Sequence, residues 1–548
     1  EQSTKNYREN EYSKATQKIS AFLSFLFSVS SQIARHLTTG YVGRMDSYGI
    51  LSLLPPVLTV VLAIWTRNII VSLSLGVFSG SLILVGYNPF AATLDLIEKR
   101  VFVQIAVGSN IQIIFTMMAI GGFIRLLEVS GGAHAFARGM TRFISSPRKA
   151  QFASWASGIS IFFTDSGNAL IIGPLFRPIF RELKICREKL AYILDSTASP
   201  ICILIPFIGW GAYIMGLIEQ AYSDAGLTES ALSVLINVLP FQFYAILTLS
   251  AVLFFIITGR DFGPMGKAQQ RFLTQDQYLL GQAAEPDHDL SVPPRLSLFV
   301  IPLSILLGLI GVLLAWHAMN DELTSIHVRS TMTIAYASAS IACAYLMFKH
   351  QSVPMNDSLN TFIRGAESMV FVVIILILAW SLSSVIKDLG TAQVLSTLVG
   401  GNVNPALLPA IVFVLGAIIS IATGSSWGTF AILMTLAVPV AVAVDAPLYM
   451  TIGAVLSGGL FGDHTSPISD TTVLASIGAD CPHIDHVSTQ FYYAMVTGGV
   501  AFVTFLCAGV YDSPWLILLA MAVLFMTIQF LGRRFGKNMF DTDLKATD

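Results

Sequence analysis

Gly458-Gly-Leu-Phe-Gly462-Asp463-His464-Thr465-Ser466-Pro467-Ile468-Ser469-Asp470-Thr471-Thr472 interrupts an apolar stretch running from Leu448 to Ile477. Ionisable residues inside a membrane-length apolar segment are costly and point to function by default. Glycines and a proline weaken the helix at the same place. A second apolar stretch, Leu190–Ile218, is broken in the same manner at Leu194-Asp195-Ser196-Thr197-Ala198-Ser199-Pro200. Pro200 lacks a backbone donor and frees carbonyls one turn earlier, near Ser196.

Two more interruptions precede these. Phe163-Thr-Asp165-Ser166-Gly167-Asn168-Ala169 divides Phe152–Phe180, and Thr423-Gly-Ser425-Ser426-Trp427-Gly428-Thr429 divides Ala406–Val444. Asp165, Ser166 and Asn168 offer the oxygens that a small hard cation takes, and Gly167 is expected at the turn. Capping of the following helix by Asp165 and Ser166 is the plainer reading, although a cap needs no carboxylate at bilayer depth. Ser425, Ser426 and Thr429 supply hydroxyls without charge, and Trp427 reads as packing. Four broken stretches, two in each half of the chain, define the expected architecture.

The halves resemble one another. Leu126-Leu-Glu-Val-Ser-Gly-Gly-Ala133 matches Val385-Ile-Lys-Asp-Leu-Gly-Thr-Ala392, Ile159-Ser-Ile161 matches Ile419-Ser-Ile421, and Ser199-Pro-Ile201 matches Ser466-Pro-Ile468, in one order and at nearly constant separation. Such repeats mark secondary transporters. Cytoplasmic loops collect Lys and Arg. Arg138, Arg142, Arg148 and Lys149 precede Phe152–Phe180, and Arg181, Lys184, Arg187 and Lys189 follow it. That stretch is therefore expected to be a re-entrant hairpin from the cytoplasm. The loop Glu219–Ser230 has no Lys or Arg and is expected outside, as is the loop at Asp445. Lys99 and Arg100 dissent, falling where the outside is expected.

The expected fold is an all-α polytopic membrane protein of two inverted repeats, each with a re-entrant hairpin and a broken helix. Residues 1–44, polar to about Ser20 and then apolar from Ile19 to Ile33, are expected to be a poorly ordered or interfacial extension, with an extra spanning helix as the alternative and Met45, directly before the first membrane helix, as a candidate start. Residues 45–258 form the first repeat, 259–294 a cytoplasmic linker, 295–532 the second repeat with a final helix, and 533–548 a cytoplasmic tail.

Composition agrees. Of 548 residues, 54% are hydrophobic and 12% charged, against about 25% charged in soluble domains. Roughly a dozen stretches are long and apolar enough to span a bilayer. A net charge of −2 gives no reason to expect nucleic acid. Five scattered cysteines, Cys186, Cys202, Cys343, Cys481 and Cys507, set no disulfide framework or metal spacing. No P-loop sequence occurs, so ATP is not the expected driver, and no cofactor is expected.

The candidate ion- and proton-binding residues are Asp165, Ser166, Asn168, Asp195, Ser196, Thr197, Ser425, Ser426, Thr429, Asp463, His464, Ser466 and Asp470. Asp463 and His464 form a candidate proton site. A buried carboxylate without a counter-charge holds its proton and a cation displaces it, so one site can alternate between the two. An Asp463–His464 pair that merely satisfies itself at a subunit contact is the alternative. Asp470 lies seven residues from Asp463, on the same face if the helix continues; a capping role explains it equally well. Glu128 and Lys387 read as charges at span boundaries; His483, Asp485 and His486 form a polar cytoplasmic loop able to sense pH, with a lone solvated loop as the plainer reading.

Four segments resemble the NhaC-type sodium/proton antiporters of the ion transporter superfamily: Gly462–Thr472, Ile477–Val487, Arg187–Thr197 and Thr423–Thr429. The resemblance runs from about Ile50 to about Gly532. It implies electrically driven or electroneutral exchange of sodium ions for protons across a plasma membrane, with a homodimer as the assembly. From the residues themselves, Asp165, Asn168 and Asp463 are the candidate sodium ligands, and Asp165, Asp195 and Asp463 are expected to handle ion and proton. Similar members carry amino acids or organic acids, so a sodium-coupled solute transporter is the alternative; a channel is a third reading, opposed by the broken helices. Thr164 stands where such proteins often carry a further acidic residue.

Overall fold

The computed structural model describes residues 48–142, 144–274, 295–320, 324–391, 394 and 404–538. The chain divides into Glu1–Ile50 and Leu51–Asp548, and nearly all the described residues belong to the second unit. The expected extension 1–44, linker residues 275–294 and the last ten residues lie outside the described set.

The second unit is helical. Its first half comprises α1 (Leu54–Thr66), α2 (Ile69–Leu84), α3 (Gly108–Val129), α4 (Gly132–Thr141), α5 (Pro147–Ser160), α6 (Asp165–Glu182), α7 (Arg187–Ser196), α8 (Gly209–Asp224), α9 (Ala231–Val238) and α10 (Phe243–Thr258). After α11 (Gly263–Thr274) come α12 (Ser297–Asn320), α13 (Ser325–Gln351), α14 (Met355–Ser368), α15 (Val370–Asp388), α16 (Leu408–Thr423), α17 (Ser426–Ala443), α18 (Leu448–Thr465), α19 (Asp470–Ala479), α20 (His483–Tyr511) and α21 (Leu516–Phe535). Among the described residues nine helices are long and apolar enough to cross a membrane, or ten if the bent α9–α10 pair is one span. The dozen apolar stretches of the sequence overcount because several are broken. With 14 residues in α5 and 10 each in α7 and α19, these helices are about 15–21 Å long, short of the roughly 30 Å hydrocarbon core.

The two halves share one plan. Each has a helical hairpin, α5–α6 and α16–α17, followed by a broken helix, α7 to α8 and α18 to α19. The halves also exchange partners: α19 packs on α6 and α7, and α8 packs on α17. Close helix approach in lipid selects small residues. A Cβ at Gly173 would lie 2.1 Å from Gly478 O, and one at Gly458 would lie 2.3 Å from Phe413 O.

Local chemistry sets the hairpin tips. Thr164, in extended conformation, caps α6 by accepting a hydrogen bond from Gly167 N (3.0 Å). Ser425 caps α17 in the same way, from Gly428 N (3.3 Å). The cap is therefore Thr164 rather than Asp165 or Ser166. Gly167 is helical and does not make the turn; a Cβ there would lie 2.4 Å from Glu128 Oε1, so the glycine serves close approach. In the second hairpin the left-handed residue is Gly424, at φ +65°.

The linker begins as folded structure. Its Arg260–Asp261 pairs antiparallel with Lys537–Asn538, so the start of the linker and the end of the last helix share one side. In α11, Gln269 accepts from Cys186 N and donates to Lys184 O. The dissenting Arg100 is buried between Asp95 (3.2 Å) and Asp388 (2.5 Å), which explains its place without a topological vote.

Lys189 anchors α7. Its side chain is 0% exposed, 2.6 Å from Asp261, and surrounded by the rings of Tyr192, Phe255 and Tyr493. Tyr493 also donates to Asp261 (2.7 Å). Removing one partner of a buried pair leaves an uncompensated charge, at a cost of about 3–5 kcal/mol. Lys189→Ala is expected to lower the unfolding midpoint in detergent markedly; Lys189→Ala together with Asp261→Asn should recover part of the loss. An unchanged midpoint in the single variant would show that the pair contributes nothing.

Candidate functional site

All four interruptions place oxygen-bearing side chains where helices stop or start. The C-terminal ends of α7 and α18 and the N-terminal ends of α6, α17 and α19 supply free backbone carbonyls and amides at these points.

Asp463, in the last turn of α18, is 4% exposed. Its Oδ1 has no hydrogen-bond partner among the described residues, and the hydroxyls of Ser426 and Ser469 lie beside the carboxyl. Ser426 Oγ is itself buried, with the Asp463 carboxyl as its neighbour. Asp463 and His464 do not pair. The imidazole turns away, with Nδ1 2.8 Å from the Tyr244 hydroxyl and Nε2 3.3 Å from Ser196 Oγ. His464 Nε2 lies 4.0 Å from Asp195 Oδ2, across the two halves. Asp463 and Asp470 do not share a continuous face either, because Pro467 separates α18 from α19. Ser469 is the cap position of α19, and Asp470, in its first turn, accepts from Thr471 N (2.9 Å).

Asp195 ends α7 and is fully buried. Its Oδ2 accepts from Thr472 Oγ1 (3.0 Å) and from Gln490 Nε2 (2.5 Å). His486 Nε2 stands 3.9 Å away. Thr197 Oγ1 is taken up by the Ile193 carbonyl (2.8 Å). The backbone of Thr197 serves the site instead, since its carbonyl accepts from Asn168 Nδ2 (3.1 Å).

At the first hairpin tip, Asp165 Oδ1 accepts from Ser166 N (2.7 Å) and Ser166 Oγ (3.1 Å), and Oδ2 accepts from Trp210 Nε1 (3.2 Å). Asn168 Nδ2 also donates to Gly158 O (2.8 Å), which leaves Oδ1 buried without a partner. At the second tip, Thr429 Oγ1 donates to Ser425 O (2.8 Å) and Ser466 Oγ to Ile421 O (2.9 Å). The tips are bridged by aromatics. Trp210 packs against Trp427 with ring centroids 4.7 Å apart and planes tilted by 50°, and the Tyr213 hydroxyl donates to Trp427 O (2.6 Å).

The structure thus brings Asp195, Ser196, His464 and Thr472 into one polar cluster. Asp463 lies within electrostatic reach of Asp195 and Asp470, and Asp470 of Asp165. Among the described residues none of these four carboxylates forms an ion pair with Lys or Arg. No three His, Cys, Asp or Glu side chains among the described residues are placed to hold a metal ion together.

Several participants escape sequence reasoning. Glu128, read as a boundary charge, accepts from Thr164 Oγ1 (3.2 Å) and stands over the first tip. His486, read as part of a solvated loop, is fully buried in α20. Gln490, Tyr244 and Trp210 carry no sequence signal, being polar or aromatic residues in ordinary helices.

The chain matches the Na+/H+ antiporter family model over residues 201–510. An uncharacterized protein of Haemophilus influenzae is 32% identical over 499 residues, covering 89% of this chain and 96% of that one. The malate-2H(+)/Na(+)-lactate antiporter of Bacillus subtilis is 29% identical over 156 residues, 28% of this chain and 33% of that one. Among solved structures, Neisseria gonorrhoeae MtrF, described as illuminating a class of antimetabolite efflux pumps, superposes with a TM-score of 0.53 at 13% identity, covering 77% of this chain and 85% of its own. That likeness concerns the fold. With helices of membrane length, these matches make the chain a multi-pass transport protein rather than an enzyme, and it belongs to the Na+/H+ antiporter family, the NhaC-type family that its motifs resemble.

Proposed function

We propose that the protein exchanges sodium ions for protons across the plasma membrane. One observation carries this reading: among the described residues Asp165, Asp195, Asp463 and Asp470 gather at broken helices with no Lys or Arg against them, and Asp463 Oδ1 and Asn168 Oδ1 are buried without hydrogen-bond partners. Buried unpaired oxygens are costly, and a monovalent cation or a proton removes the cost. Asp463, with Ser426 and the carbonyls of the break, is the sodium half, joined by Asp165 and Asn168 from the first hairpin. Asp195, flanked by two imidazoles and two donors, is the proton half. The face carrying Arg177, Arg187, the linker and the C-terminal end is taken as cytoplasmic, by its basic charge.

The purified protein in proteoliposomes should acidify the compartment to which sodium is added and make the opposite one alkaline, with saturable dependence on sodium. Sodium-stimulated uptake of a small carboxylate or amino acid without counter-moving protons would replace this reading with solute symport.

A further inference from the structure

His483, Ser476 and His486 lie outside the ion-binding region, yet they link an open cavity to Asp195. The cavity, about 710 Å³, is lined by Arg177, Arg187, Ser476, Asp480 and His483 among others. His483 stands at its wall, and His486 is fully buried behind it. One hydroxyl sits between them: Ser476 Oγ is 3.1 Å from His483 Nδ1 and 2.9 Å from His486 Nδ1.

Counting donors fixes the tautomers. His483 Nε2 is 2.7 Å from the carbonyl of Pro467, which only accepts, so Nε2 carries a hydrogen. Gln490 Nε2 donates to Asp195 Oδ2 and to His464 O, so its Oε1 is the atom facing His486 Nε2 at 2.9 Å. That oxygen only accepts, and His486 Nε2 carries a hydrogen too. In two neutral rings both Nδ1 atoms would then be bare acceptors pointed at a single hydroxyl. Ser476 has one proton and also faces Thr472 O at 2.8 Å. Both contacts are hydrogen bonds only when at least one imidazole holds a second proton, and one suffices when the hydroxyl proton turns from Thr472 O to the other ring.

We propose that His483, Ser476 and His486 form a single-proton relay between the cavity and Asp195, a route that rests on the antiport reading. A proton taken up by His483 passes from Nδ1 to Ser476 Oγ as the hydroxyl proton passes to His486 Nδ1. The positive charge moves inward; rotation of the hydroxyl, with return of the remaining His486 proton from Nδ1 to Nε2 by turnover of the ring, resets the wire. His486 Nε2 is 3.9 Å from Asp195 Oδ2, and a movement of about 1 Å brings it to hydrogen-bonding distance. The surroundings hold both charge states. Asp195 on α7 and His464 on α18 face the inner ring. On the outer side stand Asp480 and Cys481 after α19, Asp485 on α20, and Arg271 on α11, which pairs with Glu188 and Asp485. Arg177 and Arg187 spend hydrogen bonds on the carbonyls of Gly478 and Asp480.

Proton flux and sodium–sodium exchange, measured in the same proteoliposomes, test the relay. His483→Ala and Ser476→Ala should each lower sodium-driven proton flux on the order of 10²-fold and leave sodium–sodium exchange in place. Imidazole supplied on the cavity side alone should restore flux to His483→Ala. Normal proton flux in both variants, failure of imidazole to restore it, or loss of sodium–sodium exchange along with it would overturn the relay. A wild type that moves sodium without protons would instead remove the antiport reading. The relay is then decided by imidazole nitrogen NMR of the full chain in sodium-free detergent. One proton exchanging between the two Nδ1 atoms is expected, and two rings that stay neutral from about pH 5 to about pH 9 would overturn it.

Discussion

Asp463→Asn is expected to abolish both sodium–proton and sodium–sodium exchange while the protein stays inserted and folded. The residue ends α18, is almost wholly buried, and has an oxygen with no partner among the described residues. A carboxylate 4 Å from a cation is worth about 4 kcal/mol at the effective dielectric of a protein surface, and proportionately more at contact, so replacing it by an amide should weaken sodium binding on the order of 10³-fold. The amide keeps nearly the same volume, and no ion pair or capping hydrogen bond is lost with the charge. A neutral side chain is also cheaper to bury than an ionised one, so thermal stability in detergent should hold or rise. Sodium binding by isothermal calorimetry and exchange in proteoliposomes, on protein whose membrane yield and melting point match the wild type, provide the check. Retained sodium binding would remove Asp463 from the sodium half and shift that role to Asp165 at the opposite tip.

Asp195→Asn should separate the two ions. Its carboxylate accepts from Thr472 and Gln490 and lies about 4 Å from two imidazoles. An amide in its place cannot take up or release a proton in the working range. Sodium-driven proton movement should fall by roughly 10²-fold or more, whereas sodium–sodium exchange, which needs no proton, should persist. The two variants thus predict different patterns: Asp463→Asn loses both activities and Asp195→Asn loses one. Equal loss of both activities in Asp195→Asn would mean that this carboxylate also binds sodium, and the division of labour would be withdrawn.

Much of this molecule is legible in the sequence because the signals are local. Hydropathy locates the spans, since each apolar run must be long enough for the bilayer. Glycine, proline and stranded carboxylates mark the breaks at 163–169, 194–200, 423–429 and 458–472, since each disturbs its own helix turn. All four breaks appear in the structure at those places. The cap at Thr164 was within reach too: the matching Ser425-x-x-Gly428 pattern in the other half shows that Thr164-x-x-Gly167 is a capping unit.

Partnership was not legible. His464 follows Asp463 in the chain, but successive helix residues point about 100° apart, so neighbours in sequence face different surroundings. The imidazole therefore meets Tyr244 and Ser196, and Asp195 meets Thr472 and Gln490, contacts made across more than two hundred residues. Glu128 reaches the hairpin tip only because the last turn of α3 ends there, and His486 is buried only because α20 closes over α7 and α19. The sequence by itself determined where helices had to break and which carboxylates were stranded in lipid, because those are properties of single segments. Only the tertiary structure decided which carboxylate keeps company with histidines and which is left with an unpaired oxygen, because that depends on how the halves cross, with each broken helix packed against the other half's hairpin.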